Sequence, residues 1–438
     1  MNRPTRPVPF FQVALCGGVV AATAAVTVFG TDLSVRAALQ DSPKVVLDEA
    51  WQIVNREYVD GSFNKTNWQS MRQTLLSKNY TSKQEAYEAL RTALKTLDDP
   101  YTRFMDPKQY ETLTSQTSGE LSGVGIRLEL DQKTKSLTVV EPLENSPAIR
   151  AGIKSGDRIT AINGKPTKGM SVEDASNLIR GEVGTKVTLK VGRGSGSEID
   201  LPLTRAKIEL QTVRYSLKQE GKNKVGYIRL AEFSSHAAEQ MQRAIQDLNT
   251  KQVDGYVLDL RGNPGGLLQS SIEISRMWLN KGAIVKTVNR QGSSETEFAS
   301  SKPLTDKPMV VLVDGRSASS SEILTGALKD NKRATVVGSQ TFGKALVQSV
   351  HSLSDGSGIA VTVAHYYTPN GTDISHKGIE PNVKIELSEA QQKYLASHPK
   401  DIGTNQDPQY ARAINVLQQT AMANPNLPTA SQQSRVNR

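Results

Sequence analysis

Ser319, within Gly315-Arg316-Ser317-Ala318-Ser319-Ser320-Ser321-Glu322, lies 25 residues before Lys344 of Thr341-Phe342-Gly343-Lys344, and Gln348 follows four positions later. A serine hydroxyl is a poor nucleophile at neutral pH and needs an adjacent base. A lysine serves once desolvation lowers its pKa. Phe342, Ala345, Leu346 and Val347 flank Lys344 with apolar side chains. Residues four apart share a face in a helix and in a strand, so Gln348 can reach the lysine amine on either backbone. These residue types allow acyl transfer through a serine activated by lysine.

Each of these residues also has a plainer explanation. Ser319 with Glu322 three positions on, ahead of an apolar helical pattern, spells a capping box. The two readings are compatible, because amides at a helix N-terminus can hold an oxyanion. Taken alone, Lys344 is an ordinary solvated lysine. Gly338 to Lys344 also matches Gly-x-x-x-x-Gly-Lys, the start of a phosphate-binding loop. There, however, Ala345 replaces the hydroxyl that would hold magnesium, and Leu346 to Val350 reads as a strand where a helix is required. A Ser-His-Asp arrangement would have to recruit His351 or His365 with Asp355 or Asp373.

Apolar runs at Val225 to Leu230, Val253 to Leu260, Met309 to Val313, Thr335 to Val337 and Ile359 to Val363 predict strands. They alternate with helical patterns at Ala237 to Leu248, Ser270 to Leu279 and Glu322 to Lys329, an order that predicts an α/β domain with a layered sheet. The run ending at Leu260 leads into Arg261-Gly262-Asn263-Pro264-Gly265-Gly266. A strand, a glycine-rich turn and a helix in succession make the turn's amides candidate oxyanion donors. An ordinary strand-to-helix connection would look the same.

Between about Tyr110 and Arg205 lies a different unit, with Gly123-Val124-Gly125-Ile126 near its start and Ser146-Pro147-Ala148 to Ile162-Asn163-Gly164 in its middle. The middle run resembles a PDZ domain. Such domains add a peptide strand to a sheet edge and hold its terminal carboxylate on the amides of a Gly-x-Gly-apolar loop. Gly123, Val124, Gly125 and Ile126 match that loop, and Val172 to Ile179 would form the other wall of the groove. The order of helical lead, PDZ unit, Asn-Pro-Gly-Gly turn, serine cluster and Thr-Phe-Gly-Lys resembles the carboxyl-terminal processing, or tail-specific, proteases. The resemblance covers about Val45 to Leu387, includes Leu97-Asp98-Asp99-Pro100-Tyr101-Thr102-Arg103-Phe104, and is strongest to cyanobacterial and chloroplast members. It implies Ser319 as nucleophile, Lys344 as general base, Gln348 as the side chain orienting the lysine, and the amides of Gly265 and Ser320 as the oxyanion hole. The family usually has alanine where this chain has Ser320, and only the amide is needed there. No metal or other cofactor is implied. The substrates would be proteins with free C-termini, and in cyanobacteria and chloroplasts they include a photosystem II reaction-centre protein.

The resemblance and the patterns together imply an α/β (α+β) multi-domain chain, a layered-sheet serine protease core with an inserted PDZ domain and N-terminal helices. Residues 1–38 would be a signal peptide or membrane anchor, 39–105 a helical region, 106–205 the PDZ domain, 206–388 the core, and 389–438 a C-terminal helix with a disordered tail. At 438 residues and 37% hydrophobic content the chain can bury a substantial core. Its single cysteine, Cys16, excludes an internal disulfide framework, and its five histidines show no paired metal-ligand spacing. The net charge of +9 is spread as +2, 0, +1, +4 and +2 over those five segments, so it forms no basic patch for nucleic acid. Arg3 and Arg6 precede an uncharged run from Pro7 to Thr31, the pattern of an exported protein, in the periplasm or a thylakoid lumen, either soluble or membrane-anchored. In the family the N-terminal helices also join two subunits, which allows a homodimer through them here. A reading from a different class is a catalytically silent PDZ scaffold that binds exported protein tails.

Overall fold

The computed structural model describes residues 42–423, apart from 132, 133, 195 and 197. The proposed leader and the tail beyond Ala423 lie outside the described residues.

Five neighbouring strands run parallel; the connections between the first four each contain a helix, whereas the fifth is reached through two strands of a second sheet. The five are Asn223–Leu230, Gly255–Asp259, Met309–Val313, Thr335–Gly338 and Val383–Lys384, and Val213–Glu220 adds an antiparallel edge. Parallel strands are covered on both faces and therefore read as continuous apolar runs. Every residue of Met309–Val313 is buried. One face packs Leu258, Val311 and Val336 against the helices Ala237–Thr250, Leu268–Trp278 and Ser320–Asp330. The other packs Val257, Val310, Leu312 and Val337 against Tyr410, Ala413, Ile414 and Leu417 of the helix Pro408–Ala423. The segment from 389 thus holds two helices, Glu389–Ser397 and Pro408–Ala423, and the second closes the core.

A second sheet joins Arg103–Met105, Gly358–Tyr367, Ala283–Asn289 and Ser294–Phe298, with Leu346–Ser352 paired to Gly358–Tyr367. The N-terminal helices Pro43–Glu57, Trp68–Ser77 and Lys83–Lys95 bury Leu47, Val54, Leu90 and Leu94 together with Phe104, Ile359 and Val361 of this sheet. Among the described residues no helix is long and apolar enough to cross a membrane.

The inserted unit has its own core of Val124, Leu137, Val139, Ile159, Val187, Leu189 and Leu203. Ile126–Leu130 is the edge strand of its sheet, and a ribbon pairing Glu120–Gly123 with Ala206–Glu209 closes the insertion. The predicted helix is Val172–Ile179, capped by a reciprocal Ser171 and Asp174 box.

Candidate active site

Three adjacent parallel strands, Gly255–Asp259, Met309–Val313 and Thr335–Gly338, end at the same edge of the core. Turns after the carboxyl ends of neighbouring parallel strands converge on one crevice. In this molecule they carry the glycine turn, the serine cluster and the Thr-Phe-Gly-Lys segment. The crevice is a cleft of about 340 Å³ whose wall includes Gly265, Ser319, Ser320, Lys344, Gln348, Glu232 and Arg103. Gly265 thus shares one space with Ser319, 54 positions on, and with Lys344, 79 positions on.

The serine segment is tightly stitched. Ser317 Oγ donates to Leu260 O at 2.8 Å, Ala318 N–H to Asn263 O at 3.1 Å, and Phe342 N–H to Ser317 O at 3.1 Å. Ser320 Oγ donates to Gly266 O at 2.9 Å and Ser321 Oγ to Asn263 O at 3.0 Å. Those two hydroxyls are spent on the backbone, which singles out Ser319 from the triple serine. Its φ is +54°, a region L-residues with a side chain seldom enter, and the strain is borne by the contacts around it. The helix Ser320–Asp330 begins directly after it, so the Ser320 amide is one of the free donors of a helix N-terminus.

Glu322 joins the serine turn to the lysine turn. One carboxylate oxygen accepts from Ser319 N–H and Lys344 N–H, both at 2.9 Å. The other accepts from Thr341 Oγ1 at 2.6 Å and Gly343 N–H at 2.7 Å. Burial pushes its pKa up, and these four bonds oppose that shift. Tyr366 adds a second link, its hydroxyl lying 3.1 Å from Ser319 O and also bonding Lys344 O.

Lys344 is held at a pKa of about 8, first by burial and then by the Arg103 cation, with Asp99 and Glu322 opposing. Its Nζ sits 4.5 Å from the centre of the Tyr101 ring, a contact that favours the charged form. Gln348 lies on the same wall; its Nε2 is buried without a hydrogen-bond partner, and its amide forms no hydrogen bond with the Lys344 amine. Gly265 fits where it does because a Cβ would stand 2.8 Å from Ala318 O and 2.9 Å from Ser319 Cβ, at a φ of +106°. Its amide donates to Asn263 Oδ1 at 2.9 Å and must give up that bond to face a substrate oxygen.

The histidine alternative is not assembled. His351 Nε2 pairs with Glu57 at 2.7 Å, Asp355 accepts from Tyr87 and Ser357, and among the described residues no histidine lines the cleft. The segment after Lys344 is the strand Leu346–Ser352, which removes the helix that a phosphate-binding loop requires.

In the inserted unit, Gly123, Val124, Gly125 and Ile126 line a small cavity of about 80 Å³, with Ser176 and Ile179 of the helix Val172–Ile179 opposite. Gly125 has a φ of +78°, and a Cβ there would collide with the buried Ser146.

Glu322 was visible in the sequence only as the third helical residue of a capping box. Tyr366 and Glu232 carried no local signal, and Arg103 stood in a stretch quoted for the resemblance without a role.

Residues 224–385 match the model of peptidase family S41, and residues 138–193 match a PDZ domain. A carboxyl-terminal-processing protease of Synechocystis sp. is 43% identical over 383 residues, covering 87% of this chain and 88% of the relative. The chloroplastic C-terminal processing peptidase of Tetradesmus obliquus is 38% identical over 79% of this chain and 78% of its own. A putative S41 protease of Bacteroides fragilis, 16% identical, shares the fold with a TM-score of 0.52 over 85% of this chain and 97% of its own. Identity of 43% over 87% of this chain and 88% of the relative, with both domains present, means that the protein belongs to the carboxyl-terminal-processing proteases of peptidase family S41.

Proposed function

We propose that the protein is an exported serine endopeptidase that captures protein C-termini in its PDZ groove and cuts near them with a Ser319/Lys344 dyad supported by Gln348. The observation that carries this reading is a desolvated lysine, with a pKa of about 8, on the wall of the same cleft as a serine held at a φ of +54°. Neutral Lys344 takes the proton of Ser319 Oγ as the oxygen attacks the scissile carbonyl. The Ser320 amide, and the Gly265 amide once released from Asn263, hold the oxyanion. Lys344 then returns the proton to the leaving amine, and an ester to Ser319 remains. Water, deprotonated by the same lysine, attacks that ester, the lysine passes the proton to the departing Ser319 Oγ, and the new C-terminus is freed. Arg3 and Arg6 ahead of an uncharged run support export, to a periplasm or thylakoid lumen.

The base must be uncharged to act, so kcat/KM should rise with pH to a plateau above about pH 8. Arg103→Met removes a neighbouring cation and should move that rise to higher pH. A pH-rate profile on a chromogenic peptide checks both, and a flat profile contradicts the lysine base. Carboxylate capture predicts that amidating the terminus of a peptide substrate raises KM about tenfold, a loss of charge-assisted bonds. Equal KM for acid and amide would remove the PDZ loop from recognition.

A further inference from the structure

Glu232 lies on the wall of the same cleft and has no part in the proton transfers above. It follows the strand Asn223–Leu230, and both of its neighbours are pinned. Ala231 N–H donates to Thr212 O at 2.8 Å, and Phe233 N–H donates to Gly265 O at 2.9 Å. Phe233 O accepts from Leu267 N–H at 2.7 Å, and Phe233 pairs with Gly266 in a parallel bridge. The carboxylate is therefore presented from a backbone fixed to the glycine turn, one residue away from it. A side chain on such a mount is preorganised for a ligand.

The carboxylate itself is incomplete. Half-buried, it makes no hydrogen bond or ion pair among the described residues, and burial alone raises its pKa, with no opposing contribution from a donor or cation. Three other acids withdrawn from water are compensated: buried Glu322 by four bonds, buried Asp157 by Arg193 at 2.7 Å, and half-buried Glu120 by Lys207 at 3.0 Å. The cations that share the cleft, Arg103 and Lys344, form no ion pair with Glu232. Withdrawing a carboxylate from water without a partner costs free energy that a charge-assisted hydrogen bond can return. Its setting adds a second pressure, because a bare negative charge on the wall that carries the Gly265 amide opposes the growth of an oxyanion. A substrate cation would neutralise it.

We propose that Glu232 is a specificity residue that receives a lysine or arginine side chain of the substrate in a subsite beside the Gly265–Gly266 turn. The proposal rests on the serine protease reading and names a feature of its substrates. A cation is favoured over a neutral donor because it both offsets the desolvation of the carboxylate and cancels its charge next to the turn.

The test uses the enzyme lacking residues 1–38 and a set of peptides with one fixed terminus, in which Lys, Met or Glu is placed in turn at each of the positions flanking the scissile bond. At one position the Lys-to-Met ratio of kcat/KM is expected to be about tenfold, the discrimination a site gains from one built polar contact. Glu232→Gln should bring that ratio to about one at that position only. Glu232→Lys should invert it in favour of the Glu peptide, a result that a merely structural role would not give. A wild-type ratio near one at every position, or a ratio unchanged in both variants, overturns the proposal. So does a fall on Lys and Met peptides alike. Ser319→Ala is run in parallel: if it still cuts the peptides, the protease reading has failed, whereas an inert Ser319→Ala beside an unaltered ratio condemns Glu232 alone.

Discussion

Ser319→Ala and Lys344→Ala should each lower kcat/KM on an unfolded protein by about a thousandfold or more, and the double variant should lose no more than either alone. Residues that act as a unit are non-additive, because removing one already disables the other, and a residue of catalysis from binding and oxyanion contacts survives. Lys344→Arg should be equally inactive, since a guanidinium keeps its proton at any working pH. Ser320 and Ser321 cannot stand in for Ser319. Their hydroxyls are committed to Gly266 O and Asn263 O, and the helix start fixes their backbone. Release of new termini, followed by mass spectrometry, reads the result. Equal cleavage by the wild type and all variants would refute the dyad, and cleavage by none, wild type included, would favour the tail-binding scaffold.

What could be read from the sequence was whatever depends on neighbours in the chain. The parallel strands declared themselves as unbroken apolar runs such as Met309–Val313, and the turns that follow them by Gly, Ser and Lys spacing. The convergence of those turns follows from strand order, which the alternating pattern implied. The hairpin of Ala283–Asn289 and Ser294–Phe298 has no clean period to read, because the first strand buries only the adjacent pair Ile284 and Val285 and the second is polar and largely exposed. In the helix Pro408–Ala423, Tyr410, Ala413, Ile414 and Leu417 follow the spacing of one helical face and are all buried on the sheet, a packing partner that the expectation of a C-terminal helix did not name. Partners brought in from afar could not be read at all. Tyr101 reaches Lys344 from 243 positions upstream, and Tyr366 touches Ser319 O from 47 positions downstream. Gln348 shows the limit from the other direction. Its spacing put it on the right wall, but spacing says nothing of whether its amide meets the lysine, and its Nε2 is unpaired.

Glu322→Gln, a change of one atom per side chain, should cost about 3 kcal/mol of stability and about a hundredfold in kcat/KM. Four donors and no acceptor converge on Glu322, so only the ionised carboxylate satisfies all of them. A glutamine must turn its NH₂ toward one pair. Facing Ser319 and Lys344, it would set a donor against both N–H groups and push the serine turn and the lysine turn apart. Facing Thr341 and Gly343 is less costly, because the Thr341 hydroxyl can rotate, yet the Gly343 N–H is left buried without an acceptor. Thr341 Oγ1 also accepts from Ile379 N–H at 2.6 Å, so its rotation is constrained and some of the disturbance passes to the neighbouring loop. Either orientation loosens the register between Ser319 and Lys344, and reacting groups displaced by about 1 Å lose about two orders of magnitude in rate. Glu322→Asp keeps the charge but is one methylene too short to span both turns, and it should fall between the wild type and Gln in stability. Urea unfolding monitored by tryptophan fluorescence, paired with kcat/KM on the same preparations, separates the two losses. A variant within twofold of wild type in rate and unshifted in its unfolding midpoint would show that Tyr366 and the sheet hold the two turns together without this carboxylate.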